Sequence, residues 1–262
     1  MGGCIMNDQD ERYIVPALRR GLAILGLFNR DRRTLSLPEI TRELQLPRGT
    51  AFRLVHTLEA EGYLQRTPAA NAFQLGLNVL TLGFEFIGSL DLVDVARPVL
   101  ESLRDGADAS THLAILDGWD VVYLISVSSR HRITGNLVVG TRMPADRSSI
   151  GHALLFGATA HDIFARAKAG GATLSEEQAG KLAEAISEAE KRGYVLFRGL
   201  YVPGITSIAA PVRDAEGCIV AGVNVSDYEN VPSLAEAEDK LASKVVAAAE
   251  QISRRLGYRP RP

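Results

Sequence analysis

The sequence predicts an α+β protein in two unlike parts. Three helices and a small hairpin come first, and an antiparallel sheet flanked by helices follows. Three observations predict this. Apolar residues recur at helical spacing through residues 17–61, and the period switches to strand-like alternation after Gly62. Beyond Asp91, alternating runs are joined by short turns and bracketed by helical stretches, the signature of an α+β antiparallel sheet. The charge is also divided. From Arg12 to Leu75 ten arginines face five acids, a balance of +5, whereas residues 76–262 hold nineteen basic and twenty-three acidic groups, a balance of −4. The net charge of −2 conceals a basic module on an acidic body, an asymmetry that points to a polyanionic partner for one end only.

Residues 1–12 read as a disordered tail. In ALRRGLAILGLFN (17–29) the apolar residues at 18, 22, 25 and 28 form a helical stripe. Ser36-Leu37-Pro38-Glu39 is a capping box with proline in the first turn, opening a short helix whose positions 37, 40 and 44 share one face. Pro47 marks a break, and the next helix runs to about Glu61, with Gly62 as its natural stop. Residues 63–66 and 72–75 read as two short strands around TPAAN. Three helices and a hairpin in so short a span is the layout of a winged helix-turn-helix over residues 13–75. Leu77, Leu80, Phe84 and Ile87 form an a/d seam in a connector helix, residues 76–90, that is apolar nearly all round. Such a helix needs burial, and pairing with its own copy in a dimer supplies it.

Residues 91–257 form the second domain. VDVARPVLESLRDGA is helical. THLAILD and VVYLISVS are strands around Asp117-Gly118-Trp119-Asp120. RITGNLVVG (132–140) is expected to be a third strand, and TRMPADRSS a loop into a helix over 151–156. Helices over 160–168 and 175–192 follow, then strands in YVLFRG, SIAAPVRD and CIVAGVNVS, and a closing helix over 233–256.

Several classes are set aside by composition. Cys4 and Cys218 give neither a disulfide framework nor a metal-binding pair. The first twelve residues lack the apolar stretch of a signal peptide, and the apolar segment Leu75–Leu90 is too short for a membrane span and contains Glu85. A cytoplasmic location is expected. The histidines at 56, 112, 131, 152 and 161 form neither HxxxH nor HExxH, and Ser148-Ser149-Ile150-Gly151-His152 lacks the GxSxG elbow. No catalytic constellation, metal site or cofactor site is expected, and the reading is not an enzyme. His112, ahead of an apolar strand, reads as a satisfied, half-buried histidine.

The helix in LPRGTAFRLVHTLEAEGYL carries the sharpest signal. Ala51, Leu54, Val55 and Leu58 make its core face. Arg48, Gly49, Thr50, Phe52, Arg53, His56 and Thr57 occupy the other, with the arginines near its start, where a recognition helix presents side chains to the major groove. Arg19, Arg20, Arg42 and Arg66 add positive charge to the same module. The competing reading is a sensor that acts through protein contacts without binding an operator.

The segment SLPEITRELQLPRGTAFRLVHTLEAEGYL with QRTPAANAFQLG resembles the N-terminal domain of the IclR family of bacterial transcription regulators. GTRMPADRSSIGHALL and RGYVLFRGLYVPGITSIAAPVRDAEGCIVAGVNVS resemble the family's later segments, so the likeness runs from about residue 14 to 257. The resemblance implies a GAF-like or profilin-like effector domain, a homodimer or dimer of dimers on near-palindromic double-stranded operator DNA, and a small organic acid effector controlling catabolic genes. It implies DNA contacts from Arg48, Gly49, Thr50, Arg53, Arg19, Arg20 and Arg66, and an effector pocket at Ser149, Ile150, Phe197, Ser207, Asn224 and Ser226. Arg130, His131, Arg132 and Arg142 lie near enough in sequence to meet a carboxylate. Two departures bear on the effector. Phe197 and Tyr201 stand where the family often carries an acid, and Ile150 where it often carries glycine or alanine. They imply a more apolar wall, suited to an aromatic or longer acid rather than glyoxylate, although Ile150 and Phe197 read equally well as core. Gly49 stands where the family commonly has serine.

Overall fold

The computed structural model describes residues 13–29, 31–67, 72–88, 90–130, 137–199, 204–228 and 238–259. The expected tail, residues 1–12, lies outside the described residues, as do His131, Arg132 and Tyr201. The described residues between 13 and 88 group into one compact unit and those between 90 and 259 into another.

The first unit holds α1 (Pro16–Leu25), β1 (Leu35–Ser36), α2 (Leu37–Glu43), α3 (Arg48–Ala60), β2 (Leu64–Arg66), β3 (Ala72–Leu75) and α4 (Leu77–Gly88). The capping box forms: Ser36 N–H donates to Glu39 Oε2 at 2.7 Å, and Glu39 N–H reaches Ser36 Oγ at 3.4 Å. The Ser36 hydroxyl, donating to Glu39 Oε2 at 2.6 Å, and the Ser36 N–H hold the Glu39 carboxyl below its ordinary pKa. Ile24, Phe28, Leu35, Ile40, Val55, Leu64 and Phe73 form the buried core. The three-stranded sheet runs β1-β3-β2, so the hairpin of Leu64–Arg66 and Ala72–Leu75 is extended by a two-residue strand that the sequence pattern is too short to reveal.

Only the far end of the stripe expected at 18, 22, 25 and 28 packs: Phe28 is buried and Leu25 lies against the core. Gly21 and Ile24 are buried, while Leu18 and Leu22 are 62% and 60% exposed. Helix α4 buries no residue at all in the single chain, and Leu77 and Phe84 remain 75% and 63% exposed.

The second unit holds α5 (Asp91–Ala107), β4 (Ser110–Asp117), β5 (Asp120–Val127), β6 (Arg142–Pro144), a single 3-10 turn (Ala145–Arg147), α6 (Ser149–Leu154), α7 (Ala160–Ala169), α8 (Glu176–Arg192), β7 (Val195–Arg198), β8 (Ile205–Arg213), β9 (Ile219–Tyr228) and α9 (Glu238–Arg255). The six strands form one antiparallel sheet in the order β6-β5-β4-β9-β8-β7. Alternation gives that sheet two faces. One packs on α5 and α9, with Thr111 Oγ1 donating to Leu100 O at 3.0 Å. The other takes α6, and Ile150 sits so close over Gly222 that a Cβ at 222 would lie 2.9 Å from Ile150 Cγ2.

The strand expected over residues 132–140 is described only in part. Residues 132–136 lie outside the described residues, and 137–140 form a turn. A strand forms at Arg142–Pro144, where a loop was expected, paired with Asp120–Val122. Arg142 fixes it by donating to Asp117 Oδ2 at 2.8 Å and Asp120 Oδ2 at 3.1 Å. Edge pairing and this ion pair outweigh the local preference of a Pro-containing segment. Of the closing helix, residues 233–237 lie outside the described residues. No helix among the described residues is long and apolar enough to cross a membrane.

Candidate functional site

Two surfaces carry the chemistry, one in each unit. On α3, Ala51 and Val55 are buried and Leu54 and Leu58 pack against the core, which fixes the opposite face. That face exposes Arg48, Gly49, Phe52, Arg53, His56 and Thr57, with Thr50 half-buried. Pro47 precedes the helix and no side chain caps it, so its first amides are open to an outside acceptor. Gly49 is not required by packing, because a Cβ there would meet nothing within 4 Å. Arg19 and Arg20 are exposed on α1. Arg66 is not a free cation: its Nε donates to Glu59 Oε1 at 2.8 Å and its guanidinium lies 5.2 Å from the Phe73 ring centre.

The far end of α3 is clasped to α4. Gly62 ends the helix at φ +71°, and Asn78 Nδ2 donates to Glu61 O at 2.8 Å. Gly76 N–H donates to Tyr63 O at 2.8 Å. A Cβ at Gly76 would lie 2.1 Å from Gly62 O, so only glycine fits. The exposed helix α3 and the apolar helix α4 are therefore joined through a contact with no slack.

In the second unit, the sheet face under α6 carries a chain of polar groups that are buried except for the half-buried Ser207. Register places His112 beside Asn224, and Ser207 beside both Phe197 and Ser226. His112 Nδ1 meets Asn224 Oδ1 at 2.9 Å, Asn224 Nδ2 donates to Ser207 Oγ at 2.9 Å, and Ser207 Oγ meets Ser149 Oγ at 2.5 Å. His112 is only 2% exposed, not half-buried as its place in the sequence predicts, and burial lowers its pKa to about 4. It is neutral at pH 7, and with Asn224 Oδ1 as acceptor its proton sits on Nδ1. Phe197 stands edge-on to His152 at 4.7 Å, and His152 Nε2 contacts Asp146 O at 3.2 Å. Burial also lowers the His152 pKa.

Relatives place this geometry. The family of IclR helix-turn-helix domains matches residues 17–68, and the family of C-terminal domains of bacterial IclR transcriptional regulators matches residues 84–254. The chain belongs to the IclR family. It is 30% identical to the Pca regulon regulatory protein of Pseudomonas putida, over 92% of this chain and 84% of that protein. An IclR-family transcriptional regulator of Brucella abortus has a similar structure, at a TM-score of 0.78 and 26% identity, covering 97% of this chain and 99% of that one. An IclR homologue of Microbacterium hydrocarbonoxydans, in complex with 4-hydroxybenzoate, matches at a TM-score of 0.76 and 26% identity, covering 92% and 98%. Such regulators bind DNA through the helix-turn-helix and are not enzymes as a family. Among the described residues no group of His, Cys, Asp or Glu has the arrangement of a metal site.

Within this IclR chain the structure sorts the expected effector residues. Ser149, Ser207 and Asn224 come together. Phe197 and Ser226 flank Ser207 across the sheet. Ile150 is fully buried over Gly222 on the same sheet face, in the core cluster with Ala153 and Tyr123. Arg142 and Arg130 are already paired, the latter with Asp105 at 3.1 Å. Sequence reasoning missed His112 as a member of the chain. Alternation puts it on the face of Ala114, but its partner is 112 residues away and only the sheet brings it near. It also missed Asn78, whose role depends on the carbonyl left open at the end of α3.

Proposed function

We propose that the chain is a ligand-responsive regulator of catabolic genes, with α3 reading a near-palindromic operator and the face under α6 binding a small organic acid. The observation that carries the DNA half is the exposed face of α3: donors near an uncapped helix start, on a module with a balance of +5 from Arg12 to Leu75. In this reading Arg48 and Thr50 contact base edges and Arg53 contacts phosphate. Arg19 and Arg20 steer the backbone, and Gly49 admits close approach. Arg66 contributes less, because Glu59 already holds it.

The partner copy pairs through α4. Its exposed Leu77, Leu80 and Phe84 have the a/d spacing of a helix pair, and a second copy covers them at no new cost in sequence. The dimer is the unit that spans two half-sites in the cytoplasm. The effector site is built from Ser149, Ser207 and Asn224, with Phe197 and Ser226 beside them and Ile150 behind as packing. An aromatic acid suits this wall, in keeping with the 4-hydroxybenzoate bound by the Microbacterium homologue. Ligand binding shifts a two-state dimer and changes operator affinity by its differential affinity for the two states.

The test is fluorescence anisotropy on duplex DNA from upstream of the genes flanking this one, with and without 4-hydroxybenzoate. A change in operator affinity of about fivefold or more supports the reading. Operator binding that no organic acid alters would contradict it.

A further inference from the structure

Two buried side chains on the face under α6 end in polar atoms that no described residue uses. His112 commits Nδ1 to Asn224, and its Nε2 has no hydrogen-bond partner among the described residues. Tyr123 stands edge-on to the His112 ring at 5.8 Å and is 2% exposed, yet its hydroxyl also has no partner among them. Neither atom is sealed, because no fully buried side-chain nitrogen or oxygen among the described residues lacks a partner. Each tip therefore keeps a small surface that a water molecule can touch. The register puts Ala114 opposite Tyr123, so the two rings share the sheet face that carries Asn224 and Ser207.

The polarity of this corner is fixed. Asn224 Oδ1 accepts from Nδ1, which leaves Nε2 as a lone-pair acceptor. Burial keeps the ring neutral well below pH 7. Ser207 accepts from Asn224, so the Ser149–Ser207 pair has one hydroxyl proton to spare. Every group here is neutral. A carboxylate placed against Nε2 would bring lone pair to lone pair and would be buried without a cation. A hydroxyl satisfies the corner: it donates to Nε2 and accepts from a tyrosine or serine proton.

We propose that the effector carries a hydroxyl group that donates a hydrogen bond to Nε2 of His112, so that the regulator answers hydroxylated acids and discriminates against their hydroxyl-free counterparts. This rests on the reading of the face under α6 as the effector site. The carboxylate of the ligand then lies away from His112.

Calorimetric titration of the full-length protein tests it with 4-hydroxybenzoate, 4-methoxybenzoate and benzoate, and with 4-hydroxyphenylacetate against phenylacetate. The methyl ether keeps the oxygen and removes only the proton. The expected result is at least tenfold tighter binding of a hydroxylated acid than of its hydroxyl-free partner, with the ether no better than benzoate. In His112→Phe that ratio falls to within about twofold of one, while His112→Gln, whose amide oxygen is an acceptor, retains a preference. Equal wild-type affinities for hydroxylated and hydroxyl-free acids, or an ether that binds like the phenol, overturn the proposal without any variant. An unchanged ratio in folded His112→Phe overturns it as well. If none of these acids binds, the organic-acid reading fails and the proposal with it. If acids bind without discrimination, only the proposal fails.

Discussion

The two units use polar side chains in opposite ways. On α3 the functional groups are exposed, held by a core face on the other side of the helix, and they engage few partners of their own. On the sheet face under α6 they are buried, Ser207 only by half, and joined from His112 through Asn224 and Ser207 to Ser149. An exposed arginine costs little to carry, so a DNA-reading face is free to vary. A buried network is unforgiving, because a single missing partner leaves a desolvated group unsatisfied. Substitutions on α3 should thus change binding with little effect on stability, and substitutions in the buried chain should change both.

The largest expected effect breaks this contrast inside the first unit. Gly76→Ala pushes a Cβ into Gly62 O and should destabilise that unit by about 3 kcal/mol or more, with loss of operator binding while ligand binding persists. Denaturant unfolding and titration calorimetry read the two outcomes. Wild-type stability in the Gly76→Ala variant would show that the α3–α4 clasp has slack.

The buried chain should reveal itself in pH. The folded pKa of His112 is depressed to about 4, from 6.5, so its neutral form contributes stability that is fully present above pH 6.5 and is lost as pH falls towards 4. Across that window the unfolded chain binds a proton that the native chain refuses, which removes roughly 3 kcal/mol. Urea unfolding from pH 7.5 to 4 measures it. In His112→Phe this part of the slope should vanish, and a slope identical to wild type would place the titration elsewhere.

On α3 the effects are on binding. Arg48→Ala should cost about 10- to 100-fold in operator affinity and relax preference at one base position, with the melting curve unmoved. Arg53→Ala should weaken all duplexes alike. Equal losses on every sequence from both variants would contradict the division between base and phosphate contacts. The smallest effect is at Gly49. Gly49→Ala should stabilise the first unit by about 0.5–1 kcal/mol, since the Cβ meets nothing and helix propensity improves, while operator affinity drops.

The same contrast decides what the sequence reveals. The α3 face follows from local signals, because Pro47, Gly62 and the spacing of Ala51, Leu54, Val55 and Leu58 set its direction within one helix. The capping box at Ser36 and most strands of the second unit are legible for the same reason. The buried chain is not, because its members come from β4, α6, β8 and β9 and only antiparallel register brings them together. The strand at Arg142–Pro144 is hidden because an edge pairing and two aspartates override its local sequence. Helix α4 shows the reverse: its seam is plain in sequence, and no described residue of the single chain buries it.

The central claim is that the basic first unit reads DNA through α3. Duplex binding measured as a salt series tests it most directly. The account predicts a steep linear fall of log K with log salt concentration, and a slope shallower by about one in Arg53→Ala. No duplex binding at about 50 mM salt, or a slope untouched by Arg53→Ala, would contradict it.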